Sequence, residues 1–164
     1  MRTHEIVRYS LAPPGAAVAP AEGAGRVSGL AIPWDTLSAD RGGYRDRFAR
    51  DSVRIGEDVV ALLSHDPSIV LGRTSAGTLA LEAREDGVYF SLALPDTQAG
   101  RDVLTLLRRG DLGQCSFAAV LEREDWDYDS HLRAPVRTVL AAELLEVSVV
   151  PLPAFANTTA RAEA

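Results

Sequence analysis

Apolar and polar residues alternate over Gly87 to Leu94, where Val88, Phe90, Leu92 and Leu94 fall on one face. That period of two is what a half-buried strand requires. Ile69 to Gly72 and Gly77 to Ala83 are similar short runs, separated by Gly-containing or acidic turns, so the three together read as an antiparallel meander. The period changes after Pro95. Val103, Leu104, Leu106 and Leu107 make a helical stripe, with Asp96 placed to cap its start, Arg108 and Arg109 at its C-terminal end and Gly110 to stop it. Gly113 to Leu121 is an apolar, small-residue run that reads as a buried strand, and Arg26 to Ile32 reads as another. Asp51 to Leu63 fits either a helix or a Val-rich strand, and Ser64-His65-Asp66-Pro67 is a turn signature. Val136 to Val150 is a long apolar run whose β-branched end, Val147 to Val150, favours strand.

The remaining stretches are connections. Glu5 to Leu11 has the character of a short first strand, and 12–25, rich in Ala, Pro and Gly, reads as a flexible loop. Pro33 to Asp46 reads as an irregular surface loop, and the charged Glu122 to Ala134 as a hairpin excursion or mobile loop. Residues 159–164 read as a tail too small and polar to add to a core. The 164 residues fit one domain, 1–164, with its core at about 26–158, and the fold class expected is mainly β with flanking helices (α+β).

Charge and composition narrow the chemistry. A net charge of -6 argues against a nucleic-acid binder that works by general attraction to phosphate. There is no Lys, so neither a Schiff-base Lys nor a Walker-type Lys is available. One Cys forms no internal disulfide, and no apolar run approaches the length that crosses a bilayer. The N-terminus has no basic stretch followed by a hydrophobic segment, so a soluble protein of the cytoplasm is expected.

Within the strand Gly113 to Leu121 lie Cys115 and Ser116, either of which can be core filler or nucleophile. Neighbours in a strand face opposite ways, so at most one of them meets a given base. Cys as a small hydrophobe is common in cores, which makes Cys115 the better filler. Of the three His, only His65 lies in a turn between apolar elements; His4 and His131 do not. No His or Cys pair has metal-ligand spacing, so neither a metal nor a cofactor is expected. Glu146 stands in the apolar run Leu144 to Val150, where desolvation penalises a carboxylate without a partner. In a regular strand it shares a face with Ser148 and Leu144, and Glu143 faces the other way.

Five blocks, in order, carry a resemblance. They are Gly29-Leu-Ala-Ile32; Leu63-Ser-His-Asp66 with Val70-Leu-Gly-Arg73; Leu94-Pro-Asp-Thr97 with Gly100-Arg-Asp102; Arg109-Gly-Asp-Leu-Gly-Gln-Cys-Ser-Phe117; and Leu145-Glu-Val-Ser148 with Pro153-Ala-Phe155. Over roughly residues 26 to 158 the chain resembles the prohead maturation proteases of tailed bacteriophages, a family related in fold to the herpesvirus assemblin proteases. The resemblance implies a compact β-barrel flanked by helices, with a serine nucleophile on a barrel strand. It implies Ser116 as nucleophile, His65 as general base and Glu146 as third member, with Asp66 the alternative. By analogy with assemblins the oxyanion donors are sought in the loop Pro153 to Asn157.

The same resemblance implies substrates and setting. The enzyme would cut the scaffold or the scaffold-like N-terminal segment of the major capsid protein, and itself, inside the assembling prohead in the host bacterial cytoplasm. Assemblins are activated by pairing, so a homodimer is compatible, and the apolar helix at Asp96 to Arg109 is a candidate interface. No nucleic-acid or membrane partner is implied. Two other readings stay open: a Cys115 hydrolase, and a non-catalytic capsid-assembly or scaffold protein that keeps the fold.

Overall fold

The structure is a computed structural model that describes residues 23–163. The expected strand Glu5 to Leu11, His4 and most of the loop 12–25 lie outside the described residues. The rest forms two sheets and one helix. In chain order the strands are β1 (Gly25–Pro33), β2 (Arg45–Phe48), β3 (Val53–Leu63), β4 (Asp66–Arg73), β5 (Leu79–Arg84) and β6 (Gly87–Leu94). Then come α1 (Gln98–Arg109), β7 (Gln114–Asp129), β8 (Ala134–Val150) and β9 (Arg161–Ala162).

The first sheet has the order β5-β6-β1-β9 and is antiparallel throughout. The second is built on β8. One edge of β8 carries β7 along its length, antiparallel; the other carries β2 and β3 end to end, both parallel. β4 extends that sheet beyond β3. Val88, Phe90, Leu92 and Leu94 of β6 are buried, as their alternation demands, and Ala61, Cys115, Val147 and Val149 of the second sheet are buried with them in one core.

Several expectations change. The two sheets do not close into a barrel among the described residues, and one helix flanks them rather than several. The meander is broken because β4 folds back on β3 through a two-residue turn, and a corner with Gly77 at φ +69° then carries the chain into the other sheet. Asp51 to Leu63 resolves as strand, where Val53, Ile55, Val59 and Val60 suit a pleated surface better than a helix. Within the expected loop Pro33 to Asp46 a short strand, β2, begins at Arg45. The excursion at Glu122 to Ala134 is a continuous hairpin of β7 and β8. The tail also contributes more than expected: β9 pairs with β1, and Ala160 is buried.

The helix stripe serves the chain's own core, since Val103, Leu104 and Leu107 are buried within it. Its N-cap is Thr97, whose hydroxyl accepts from Gly100 N, and Asp96 instead pairs with Arg101. Gly110 ends the helix at φ +84°, a conformation that favours glycine. Thr97→Ala is therefore expected to cost about 1 kcal/mol of unfolding free energy. Asp96→Ala, which breaks a half-exposed ion pair, is expected to cost clearly less. Denaturant titration of the two variants compares them directly.

Candidate active site

Ser116 on β7 lies opposite Ser148 on β8, and Ala118 lies opposite Glu146. Cross-strand partners project from the same face, so Ser116, Ser148 and Glu146 all rise from one side of the sheet. A bulge makes this possible. Ala119 pairs with Leu144, which leaves Leu145 as an extra residue in β8. Leu144 and Val147, three apart, therefore both enter the core, at 0% and 2% exposure, while Glu146 turns outward. The expectation that Glu146 shares a face with Leu144 assumed an unbroken strand and is corrected by that bulge; the pairing of Glu146 with Ser148 holds. On its other side β3 bulges too, with 56–59 set against Leu145. Gly56 is needed there, because a Cβ would stand 2.6 Å from the Leu144 carbonyl oxygen.

His65 arrives from the turn between β3 and β4. Leu63 and Asp66 are paired, so Ser64 and His65 form a two-residue hairpin loop, with φ of +53° and +60°. Both central residues in the left-handed region define the turn type that normally selects Asn and Gly. Here each non-glycine residue carries a strain of roughly 1 kcal/mol. Three contacts hold the turn over β8. Ser64 N–H donates to the Val149 carbonyl at 3.0 Å, His65 N–H donates to Ser148 Oγ at 3.1 Å, and the imidazole Nδ1 is hydrogen-bonded to Glu146 Oε1. This bond suits the Nδ1–H tautomer of a neutral imidazole donating to the carboxylate, the tautomer that carries its lone pair on Nε2.

The second carboxylate oxygen, Glu146 Oε2, accepts from Ser148 Oγ at 2.7 Å. Ser148, 1% exposed, thus has its hydroxyl engaged twice. Ser116 is different. It is 8% exposed, and among the described residues no hydrogen bond joins its hydroxyl to the imidazole or to any other group. Its backbone is held on both sides. Thr158 Oγ1 accepts from Cys115 N–H and donates to the Cys115 carbonyl, which caps the outer edge of β7. By alternation the Ser116 backbone faces β8, putting its Cα about 5.5 Å from that of Ser148.

The other candidates are not brought to this face. Cys115 points into the core at 1% exposure, and burial pushes its thiol far above the ordinary range, so no thiolate forms there. Asp66 stands beside His65 in sequence, but its carboxylate accepts from the hydroxyl and N–H of Ser68, and those bonds hold it below the usual carboxylate range. His131 sits at the far tip of the β7–β8 hairpin, about 40 Å along the strand from Ser116. Among the described residues no group of three His, Cys, Asp or Glu could hold a metal ion. Sequence reasoning did not single out Ser148; its place two residues after Glu146 in a strand was the available signal.

The loop after β8 wraps the edge of β7. Phe155 stacks on Phe117, Gln114 Nε2 donates to the Ala156 carbonyl, and Ala154 O accepts from Ala39 N–H. Among the described residues none of the backbone N–H groups of 154–157 donates to a carbonyl. No helix among the described residues is long and apolar enough to cross a membrane.

The family model for the caudovirus prohead serine proteases matches residues 16–164 of the chain. No curated protein matches it.

The burial of Cys115 yields a direct test. In the native protein the thiol is expected to resist alkylation by iodoacetamide at neutral pH, and to react promptly once unfolded in guanidinium. Mass spectrometry of the intact chain reads both.

Proposed function

The chain belongs to the caudovirus prohead serine protease family and is a serine peptidase; we propose that Ser116, His65 and Glu146 are its nucleophile, general base and third member. The observation that carries the assignment is the shared face. Glu146 holds the imidazole through Nδ1, and the ring is mounted at the end of β3, across the single strand β8 from an uncommitted serine hydroxyl on β7. Hydroxyl and imidazole are often apart in an unliganded protease and close on the substrate. His65, with a side chain 44% exposed, has the room to do so.

In this reading His65 Nε2 takes the Ser116 Oγ proton as Oγ bonds to the peptide carbonyl carbon. The imidazolium is stabilised by ionised Glu146. The tetrahedral intermediate collapses as Nε2–H gives its proton to the leaving nitrogen and the C–N bond breaks. Water, deprotonated by the same nitrogen, then bonds to the acyl carbon, and Nε2–H returns the proton to Ser116 Oγ as the C–Oγ bond breaks. Backbone N–H groups of the loop 153–157 are assigned to the oxyanion, a stabilisation typically worth about 3 kcal/mol. Their lack of carbonyl partners and the loop's position along the β7 edge support this.

The family places the activity in capsid maturation, within the infected host cell. The finer proposal is that the substrates are the scaffold or the scaffold-like N-terminal segment of the major capsid protein, together with the protease's own chain. Co-expression with the capsid precursor tests the site. Ser116→Ala is expected to abolish processing, Glu146→Gln to slow it by about 10³ to 10⁴, and Asp66→Asn and Cys115→Ala to leave it within a few-fold. Unaltered processing by Ser116→Ala would overturn Ser116 as the nucleophile.

A further inference from the structure

We infer that Ser148 is the positioning residue of this site: one buried hydroxyl fixes both the carboxylate and the turn that carries the imidazole. The inference rests on the assignment of His65 and Glu146 above. Glu146 has a flexible side chain in a largely apolar strand, and its contact with His65 alone leaves its second oxygen unspecified. Ser148 Oγ–H donates to that oxygen, at 2.7 Å, and so selects one rotation of the carboxylate. The same oxygen accepts the N–H of His65, at 3.1 Å, and so sets the height of a strained turn above the sheet.

The two bonds run in one direction. The His65 amide donates to Ser148, Ser148 donates to Glu146, and Glu146 accepts from the His65 ring. The three bonds link both ends of residue 65 to one carboxylate: the amide reaches it through Ser148, two bonds in sequence that polarise one another, and the ring reaches it directly. Ser148 takes its own position from the sheet, between Leu62 of β3 and Ser116 of β7, and is 1% exposed, so it has little freedom to rearrange. Its hydroxyl is therefore a fixed point from which base and carboxylate are both placed relative to Ser116. Because the hydroxyl hydrogen is directed at Glu146, Ser148 makes no direct contribution to bond cleavage.

The test compares Ser148→Ala, which removes the hydroxyl, with Ser148→Cys, which keeps the volume and gives up most of the hydrogen bonding. In both, kcat on a cleavable capsid-precursor peptide is expected to fall by about 10- to 100-fold, the effect of a misplaced catalytic group, with KM within about threefold. Nitrogen-labelled histidine provides a second readout. The downfield Nδ1–H resonance of His65 in the parent protein is expected to shift upfield or broaden by exchange in both variants. Thermal melting is expected to move by only a few degrees. If both variants keep kcat and the Nδ1–H resonance of the parent, or lose melting temperature with kcat per folded molecule unchanged, the positioning role is overturned. The Ser116→Ala control separates the two proposals. Should that variant still cut, the assignment of the site falls, and the resonance alone decides whether Ser148 holds His65 against Glu146.

Discussion

The pairing of β7 with β8 is the constraint on which the rest of the site depends. It sets Ser116 beside Ser148, and through the extra residue Leu145 it lets β8 send Leu144 and Val147 into the core and Glu146 out of it. A strand without the bulge keeps strict alternation, and a slip of one residue exchanges its two faces. Here such a slip would bury the carboxylate among Leu144 and Val149 and expose the valines that anchor the sheet. Core packing and site assembly are thus fixed by the same register. The apolar burial of β8 stabilises the fold, and the placement of Glu146 comes with it.

That placement has costs the local structure offsets. A carboxylate only 12% exposed loses part of its hydration, and two non-glycine residues at positive φ strain the turn at Ser64 and His65. Each defect is met by the other's resources. The imidazole and the Ser148 hydroxyl supply the donors that Glu146 lacks, and the Val149 carbonyl and Ser148 Oγ hold the strained turn. Neither element is well satisfied alone. The turn and the end of β8 therefore behave as one unit, and a change in either is felt at the other.

The strands themselves were legible because alternation is a strong local signal: Val88, Phe90, Leu92 and Leu94 lie where their spacing puts them. The turn at His65 was marked by its composition, and the opposed directions of Cys115 and Ser116 follow from strand geometry. What was not legible depends on partners remote in sequence. The bulge at Leu145 exists only in relation to Ala118 and Ala119 of β7, so the expected face for Leu144 was wrong. β4 was grouped with β5 because they are consecutive, whereas it pairs with β3. β2 is four residues long and parallel to its partner, too short for a period to register. At the helix start two adjacent residues could cap, and Arg101 drew Asp96 away, leaving Thr97. The tail joined the sheet because β1 had a free edge for Arg161 and Ala162. The closed barrel was an inference from resemblance, and the local pattern of strands is equally compatible with two open sheets.

Three groups near one another are candidates for nucleophilic attack, and physical arguments separate them without reference to the family. Cys115 is on the wrong side of β7, and its anion is disfavoured by full burial. Ser148 is on the right side, but attack through its hydroxyl would require giving up its bond to Glu146, and that would release the carboxylate bonded to the His65 ring, the proposed base. Its attack would therefore dismantle the apparatus that makes it nucleophilic. Ser116 alone shares the face of the imidazole with a hydroxyl committed to nothing, on a backbone clamped by β8 on one side and Thr158 beside it on the other. A rigid mount with an unengaged functional atom is what an attacking group needs, since reorganisation at the moment of reaction adds directly to the barrier. The proposed assignment of Ser116 thus rests on which hydroxyls the hydrogen-bond network has already used.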